Sequence, residues 1–126
     1  MSFTSDLRAF SQTAINNTEQ VFRGSAFGII RQIIRRTPTD TGRLRGNWQT
    51  DLNSPATSTL NRLGDSVSIA EALAVCNRAE LSDSIYLTNN LPYALPIENG
   101  SSTTQAPRGM VKVTVLEFVR TVNQQA

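Results

Sequence analysis

The feature that most constrains this sequence is an uninterrupted helical pattern in its first 36 positions. Apolar and small residues recur there at steps of three, four and seven, from Leu7 to Ile34, so they share one face of a helix. The pattern predicts one helix from about Ser5 to Arg36. At about 1.5 Å per residue such a helix is roughly 45 to 50 Å long, which is more than a compact domain of this size needs. We therefore expect part of it to project toward a neighbouring molecule.

Two glycines and a proline limit this helix. Gly24 and Gly28 lie within the pattern, so the alternative is a bend, a close helix contact or a break into two shorter helices. Pro38 ends the helix because it disfavours the helical conformation at the preceding residue and has no amide hydrogen. The following Asp40-Thr41-Gly42 predicts a tight turn. We expect Thr41, Gly42 and Arg43 to form a structural corner, in which Gly42 adopts a backbone conformation that a side chain would oppose.

The remaining sequence alternates short strands with two further helices. Trp48 falls in an extended segment, and Tyr86 lies in a stretch with strand composition. From Val111 onward the spacing favours a helix, although a strand is the alternative. In chain order we predict a long helix at 1–36, a turn and strand at 37–52, a loop at 53–67, a helix at 68–80, a strand at 84–89, a loop at 90–108 and a helix at 109–123.

A capping-box pattern marks the middle helix. Ser68 and Glu71 have the spacing with which a side chain at each position caps the other's backbone amide. The helix should run from about Ile69 to Ala79, with an inner stripe formed by Ile69, Ala72, Leu73, Cys76 and Ala79. Amphipathic helices and short strands together predict a single α+β domain over 1–126: a long N-terminal amphipathic helix packed with a small, mostly antiparallel sheet and one or two further helices.

The composition argues against several classes of function. The chain has no histidine and one cysteine, Cys76, which excludes His-based acid–base chemistry, Cys/His zinc sites and intrachain disulfides. Its ten acidic residues are scattered, and no nucleophile motif is present. No apolar run approaches the roughly 20 residues of a membrane span, and the first residues lack the features of a signal peptide. We expect no enzymatic activity, no metal or cofactor, no membrane contact and synthesis in a reducing cytoplasm.

Basic residues concentrate around the end of the long helix. A window from Arg31 to Arg45 has Asp40 as its only acid. Arginine forks suit carboxylates and phosphates, so the window could face an acidic protein surface or DNA; the alternative is a solvated helix end, where cations also favour the helix dipole. The formal charge of the whole chain is only +2, which is too small for a dedicated nucleic-acid binder. The arginines of the window are Arg31, Arg35, Arg36, Arg43 and Arg45.

Two separated motifs resemble a family of virion proteins. The first is the run from Thr37 to Trp48, which follows a long amphipathic helix; the second is the run from Tyr93 to Val111. Their order and spacing resemble the neck or tail-completion component family of long-tailed bacteriophages. The segment 53–83 departs from the family's pattern. The positions that carry the resemblance are Pro38, Asp40, Thr41, Gly42, Arg43, Leu44, Trp48, Tyr93, Glu98, Gly100 and Pro107.

The resemblance implies a structural protein of the virion neck, made in the host bacterial cytoplasm. Such a protein joins the head connector to the top of the tail as a ring of identical subunits, with a hexamer favoured and a dodecamer as the alternative. Its partners would be other copies of itself, head-closure or connector proteins, tail terminator or tail tube proteins, and packaged DNA in the channel. The arginines of the window would divide between lining this channel and pairing with acids such as Glu98 or Asp51, within or between subunits. The alternative functions are a small DNA-binding regulatory protein and, third, a toxin-like hydrolase.

Overall fold

The structure, a computed structural model, describes residues 3–39, 42–100 and 109–125. The described residues form five helices around one two-stranded antiparallel sheet, which confirms the α+β class. The predicted helices and strands are present, with shifts at their ends. In chain order the elements are α1 (Phe3–Arg36), α2 (Arg43–Gly46), β1 (Gln49–Leu52), α3 (Ser66–Arg78), β2 (Ile85–Thr88), α4 (Ala94–Glu98) and α5 (Val111–Gln125).

The long helix α1 is continuous, as predicted, and only its last part is buried. It runs unbroken through Gly24 and Gly28, where an added Cβ atom would meet no atom within 4 Å, so these glycines are not at a close helix contact. Its final turns bury the side chains of Ile30, Ile33 and Ile34. By contrast, residues 4–18 are exposed on every face of the helix. The N-terminal half of α1 therefore projects from the body of the protein.

One arginine braces α1 at the point where the helix leaves the body. The Arg23 Nε donates a hydrogen bond of 2.6 Å to the carbonyl of Ala79, the residue that follows α3. On its other side Arg23 forms an ion pair with Glu19, one helical turn earlier, at 3.7 Å. The direction of the projecting half is thus set by a contact between α1 and the end of α3.

The sheet consists of β1 and β2 in an antiparallel pair, with Gln49 opposite Thr88. The extended segment predicted from Gly46 becomes a strand only at Gln49, so Trp48 lies just before β1. The reason is that residues 43–46 form the helical turn α2, and the Trp48 amide still donates to the Arg45 carbonyl at 3.4 Å. Tyr86 does lie in β2, as predicted.

The middle helix α3 does not start with the predicted capping box. It begins at Ser66, and the two box residues hold other parts of the chain. The Ser68 hydroxyl donates to the Arg45 carbonyl at 2.8 Å, and the Glu71 carboxylate accepts from the Thr50 amide at 3.1 Å. The spacing was that of a cap, but both side chains point to the neighbouring segment instead.

The inner stripe of α3 differs from the prediction at one position. Leu73 is 43% exposed, and Val75 takes its place on the buried face. Cys76 is buried, as predicted. This stripe packs between α1 and β1. The buried side chains of α3 and of the residue after it are Ser68, Ala72, Val75, Cys76 and Ala79.

The core lies where the last turns of α1 meet α2, α3 and the start of α5. Met110, directly before α5, is fully buried. Leu91, from the segment predicted as a loop, is nearly so. The short α4 occupies part of that loop, and α5 confirms a helix rather than a strand after Gly109. The core side chains are Ile30, Ile33, Ile34, Leu44, Trp48, Ala72, Cys76, Leu91 and Met110.

Candidate functional site at the end of the long helix

The first motif is closed by a bond between its first and last residues. The Thr37 hydroxyl donates to the Ile33 carbonyl at 2.8 Å and accepts from the Trp48 Nε1–H at 2.8 Å. Trp48 is only 6% exposed, so its indole N–H needs a partner inside the protein. Pro38, the next motif residue, is also buried. The motif is therefore a packed corner at the end of α1 rather than an open loop.

Arg45 fastens this corner to the C-terminus of α1. Its guanidinium donates to the Thr37 carbonyl at 2.7 Å and to the Arg35 carbonyl at 2.6 Å, and it forms an ion pair with Asp65 at 3.2 Å. The last carbonyls of a helix have no partner within the helix and carry partial negative charge, which favours a cation at this position. Arg45 is thus a structural residue of the corner.

Arg36 joins α1 to α5. Its guanidinium donates to the Thr114 hydroxyl at 3.0 Å and to a carboxylate oxygen of Glu117 at 2.6 Å. The Glu117 side chain is about half exposed, so the ion pair itself contributes under about 1 kcal/mol to stability. Its main effect is to fix the position of α5 along α1.

Gly42 turns the chain between the end of α1 and α2. Its φ of +74° lies in the left-handed region, which confirms the conformation predicted for this glycine. The Gly42 carbonyl accepts from the amides of Gly46 and Gly64, at 3.0 and 2.7 Å, so the corner is bonded on both sides. A Cβ atom at Gly42 would lie 2.9 Å from the Gly64 nitrogen. Asp40 of the predicted turn and Thr41 of the predicted corner lie outside the described residues.

The arginine window divides into inward and outward side chains. Arg31 and Arg35 lie one turn apart on the same face of α1, and both are exposed, as is Arg43. Within the described part of the chain, neither the Arg31 nor the Arg35 guanidinium forms a hydrogen bond or an ion pair. Two like charges at this spacing repel each other, so an anion from a partner would stabilise them.

The sequence suggested that Glu98 could pair with an arginine, but among the described residues it pairs with none. Its carboxylate accepts the backbone N–H groups of Met110, Val111 and Lys112, at 2.7, 2.8 and 2.9 Å. Burial alone would raise the pKa of Glu98, but these three bonds and the charge of Lys112 outweigh burial and lower it. Glu98 is therefore the cap of α5, where a negative charge is favourable. Asp51 forms no ion pair with an arginine in the described ranges either.

The two motifs meet in one place. A cavity of about 200 Å³ lies between them, with Trp48 on one side and Glu98 and Met110 on the other. The Asn89 amide, which also lines this cavity, donates to the carbonyl of Leu44 at 2.9 Å. Trp48 and Met110 also belong to the same hydrophobic core cluster, so the two motifs share one part of the core.

Three further motif positions lie at the margin of this contact. Tyr93 precedes α4 and is 39% exposed. Gly100 follows α4 with a φ of +90°, and its amide donates to the Ile97 carbonyl. Pro107 lies outside the described residues.

Sequence reasoning missed Arg62, which bonds the corner to α3. Its guanidinium donates to the carbonyls of Gly46 and Trp48, at 2.6 and 2.8 Å, and its two terminal nitrogens each bond to the Glu71 carboxylate at 3.1 Å. Burial raises the pKa of Glu71, but the bonds from Arg62 and the Thr50 amide, together with the Arg62 charge, lower it overall. The available signal was that Arg62 is the only charged residue between Asp51 and Asp65.

Asn47 holds the loop at 53–65 against the same corner. Its side chain is fully buried; the amide donates to the carbonyls of Arg43 and Leu60, and the oxygen accepts from the Leu60 amide at 2.7 Å. Further along the loop, the Gln49 side chain donates to the Ser58 carbonyl. The loop has no regular structure, yet side-chain amides from the body fix it at several points.

The polar side chains of this site hold segments of the chain together. Within the described residues no three His, Cys, Asp or Glu side chains are grouped so that they could hold a metal ion. Burial raises the pKa of the Cys76 thiol, which keeps it in the neutral form and agrees with its packing as a small hydrophobe. No helix in the described part of the chain is long and apolar enough to cross a membrane.

In comparisons with known proteins, no family model, no curated protein and no solved structure matches this chain. The motif residues and the geometry described above are therefore the basis for its proposed function.

Proposed function

We propose that this chain is a structural protein of the head–tail neck of a long-tailed bacteriophage. It would join the head connector to the top of the tail as a ring of identical subunits, with six copies favoured over twelve. The observation that carries the proposal is that the two motif segments line one cavity, through Trp48, Glu98 and Met110, and share one core cluster. Motifs that define one fold are expected to interlock in it, although they are far apart in the sequence.

The use of the motif side chains also supports a structural function. Thr37 and Trp48 bond to each other, Glu98 caps α5, and Gly42 and Arg45 hold the corner together. The bonds of these groups hold segments of the chain in place. A subunit that must present constant surfaces to several partners needs such a rigid fold.

The exposed surfaces offer two features that a ring subunit would use to contact its partners. The projecting half of α1 offers area for contact with another molecule, and Arg31 and Arg35 offer two exposed cations. In a neck these cations would face acidic loops of the connector or tail proteins, or phosphates of DNA in the channel. The chain would then be made in the bacterial cytoplasm and reside in the virion.

The direct test is immunogold electron microscopy of virions with an antibody against this chain. Label at the junction of head and tail, with rotational order in averaged images of the neck, is the expected result. A protein absent from the virion would overturn the proposal. If the protein instead bound duplex DNA with a salt-dependent affinity of about micromolar or better, a DNA-binding regulator would be favoured.

A charge-reversal experiment tests the function of the outward arginines. Arg31→Glu/Arg35→Glu should leave the subunit folded, because neither side chain bonds to the described residues, but should leave heads and tails unjoined. Arg78→Glu, which changes an exposed arginine at the end of α3, is the control and should permit joining. Normal joining with the double variant would show that these arginines do not face a partner.

A further inference from the structure

The projecting half of α1 carries an apolar stripe that the protein itself leaves uncovered. Phe10 is 74% exposed, Val21 68% and Leu7 53%. Together with Ala14 they recur at steps of three, four and seven, which is the spacing of a helix–helix seam. We call Leu7, Phe10, Ala14 and Val21 the distal stripe.

The composition of this half of α1 does not suit a helix surrounded by water. Residues 4–18 contain one acid, Asp6, and one base, Arg8, and are otherwise rich in Ser, Thr and Asn, which have low helix propensity. The hydroxyls of Thr13 and Thr18 bond back to carbonyls four residues earlier, which weakens a helix slightly. A long exposed helix is normally stabilised by many charge pairs, so this one is expected to gain stability from a partner.

A second apolar surface lies on the same chain. A groove of about 460 Å³ runs between α1 and β2, and its polar lining comes from Asp83 and Ser84 at one rim. We call it the α1–β2 groove. Its apolar lining consists of Phe22, Ala26, Ile29, Ile30, Ile33, Ile85 and Leu87.

The distal stripe cannot fill the groove of its own chain. Phe10 and Ala26 lie on one continuous helix, so they are about 24 Å apart along its axis. The two surfaces also face different directions, because an advance of about 100° per residue places their centres about 110° apart around α1. For the same reason, two copies of α1 lying side by side in an antiparallel pair could not seat both stripes in both grooves.

We propose that the distal stripe of one copy docks into the α1–β2 groove of a second copy. This contact joins unlike surfaces of identical chains, so each subunit has one stripe and one groove to offer, and repetition gives a closed ring or an open filament. The inference rests on the proposed neck ring and names its subunit contact. The segment that carries the stripe has one acid, Asp6, and one base, Arg8, so it brings no net charge toward Asp83 at the rim of the groove.

The area of the contact predicts how it behaves. A helix segment of 15 residues is about 22 Å long and about 10 Å wide, so it buries roughly 200 to 300 Å² on each partner. That is well below the roughly 800 Å² per partner of a stable pair. A single contact should therefore be weak, and closure of a ring, in which every subunit makes two contacts, should stabilise the assembly.

Sedimentation velocity over a wide concentration range tests the contact with the purified full chain. Leu7→Asp/Phe10→Asp should lower the association constant by about tenfold or more. Ala9→Asp/Asn16→Asp places the same two charges on the opposite side of α1 and should associate as the wild type does. Ala26→Glu should also block association by charging the groove, and Ser84→Glu at the exposed rim serves as a second groove variant. Circular dichroism checks that each variant is folded.

Mixing the two kinds of variant separates this contact from its alternatives. The stripe variant retains a groove and the groove variant retains a stripe, so a mixture should form a one-to-one dimer and nothing larger. A groove variant that associates by itself as strongly as the wild type would show a stripe-to-stripe contact and overturn the proposal. A wild-type chain that stays monomeric at all concentrations would overturn it as well.

The outcome is independent of the test of the proposed function. Label in the virion neck together with a monomeric wild-type chain would refute the contact alone. Association through stripe and groove by a chain that is absent from virions would refute the neck function alone.

Discussion

Three glycines of this chain provide a matched series for measuring what the corner at Gly42 requires. Gly42 and Gly64 have φ angles of +74° and +81°, so alanine is strained at both. They differ in one respect: a Cβ atom would lie 2.9 Å from the Gly64 nitrogen at Gly42, whereas at Gly64 it would meet nothing within 4 Å. Gly24, in the middle of α1, has neither the unusual φ nor a close neighbour. Alanine at Gly24 therefore tests helix propensity alone, alanine at Gly64 tests a left-handed φ, and alanine at Gly42 tests a left-handed φ together with a close contact.

The magnitudes follow from these differences. Gly24→Ala should stabilise the protein by about 0.5 to 1 kcal/mol, because alanine has the higher helix propensity. Gly64→Ala should destabilise it by about 1 to 2 kcal/mol, the cost of a left-handed residue with a side chain. Gly42→Ala should cost that amount plus about 1 to 2 kcal/mol more, because relief of the close approach weakens the 2.7 Å bond from the Gly64 amide to the Gly42 carbonyl.

Urea denaturation of the wild type and the three variants, followed by circular dichroism, gives these free energies of unfolding. The denaturant slope should stay constant across the series, so that the midpoints can be compared directly. If Gly42→Ala were no less stable than Gly64→Ala, the close approach at the corner would have no energetic consequence and the reasoning would be refuted.

The remaining predictions concern the polar clamps and the cysteine. The pKa of Glu98 is lowered in the folded protein, so the stabilisation by its carboxylate is present above the ordinary glutamate pKa of about 4.3 and is lost as the pH falls through the folded value. In thermal melts, Glu98→Gln should therefore lose less stability between pH 5 and the acid range than the wild type does. Equal losses would contradict this. Arg62→Met should cost about 2 to 3 kcal/mol in urea denaturation, because two carbonyls and Glu71 lose their partner; a cost below about 1 kcal/mol would contradict it. Arg45→Glu should lower the melting temperature, unlike Arg31→Glu, and equal melting temperatures would show that the Arg45 bonds do not stabilise the fold. Cys76→Ala should still fold and assemble, whereas Cys76→Ser should be the less stable of the two, because its hydroxyl would be buried; the reverse order in melting temperature would contradict this.

Features that depend on neighbouring residues could be predicted from the sequence. The course of α1 follows from its apolar spacing, its end from Pro38, and the backbone conformation of Gly42 from the turn pattern around it. The helix α5 was favoured over a strand for the same kind of reason. In each of these cases the deciding interactions lie within about one turn of chain.

Features that depend on distant partners could not be predicted. Ser68 and Glu71 have the spacing of a cap, but the Arg45 carbonyl and the Thr50 amide, brought near by the fold, are their partners. Glu98 is likewise bonded to the start of α5 and, within the part of the chain that the structure describes, to no arginine. The sequence spacing indicates which polar groups need a hydrogen-bond partner. Only the tertiary fold determines which partner each group has.

The arginine window shows the same limit within one cluster. All five arginines look alike in the sequence, yet Arg36 and Arg45 are bonded inside the protein while Arg31 and Arg35 point outward. The two outward residues lie on a single helix face, and the two bonded ones meet α5 and the corner. Candidate binding residues can be separated from structural ones here only by their bonds.

The brace at Arg23 leaves the N-terminal part of α1 as a free arm that is supported at residue 23. From that support to Thr4 the arm is about 28 Å long. A tilt of about 10° at the support would then move the tip by roughly 5 Å, while the core packing around Ile33 and Ile34 stays unchanged. The compliance of one contact, between Arg23 and the Ala79 carbonyl, therefore sets how far the tip can travel. In the proposed ring, each copy would then adapt to small differences in curvature by bending at this one contact instead of repacking its interior.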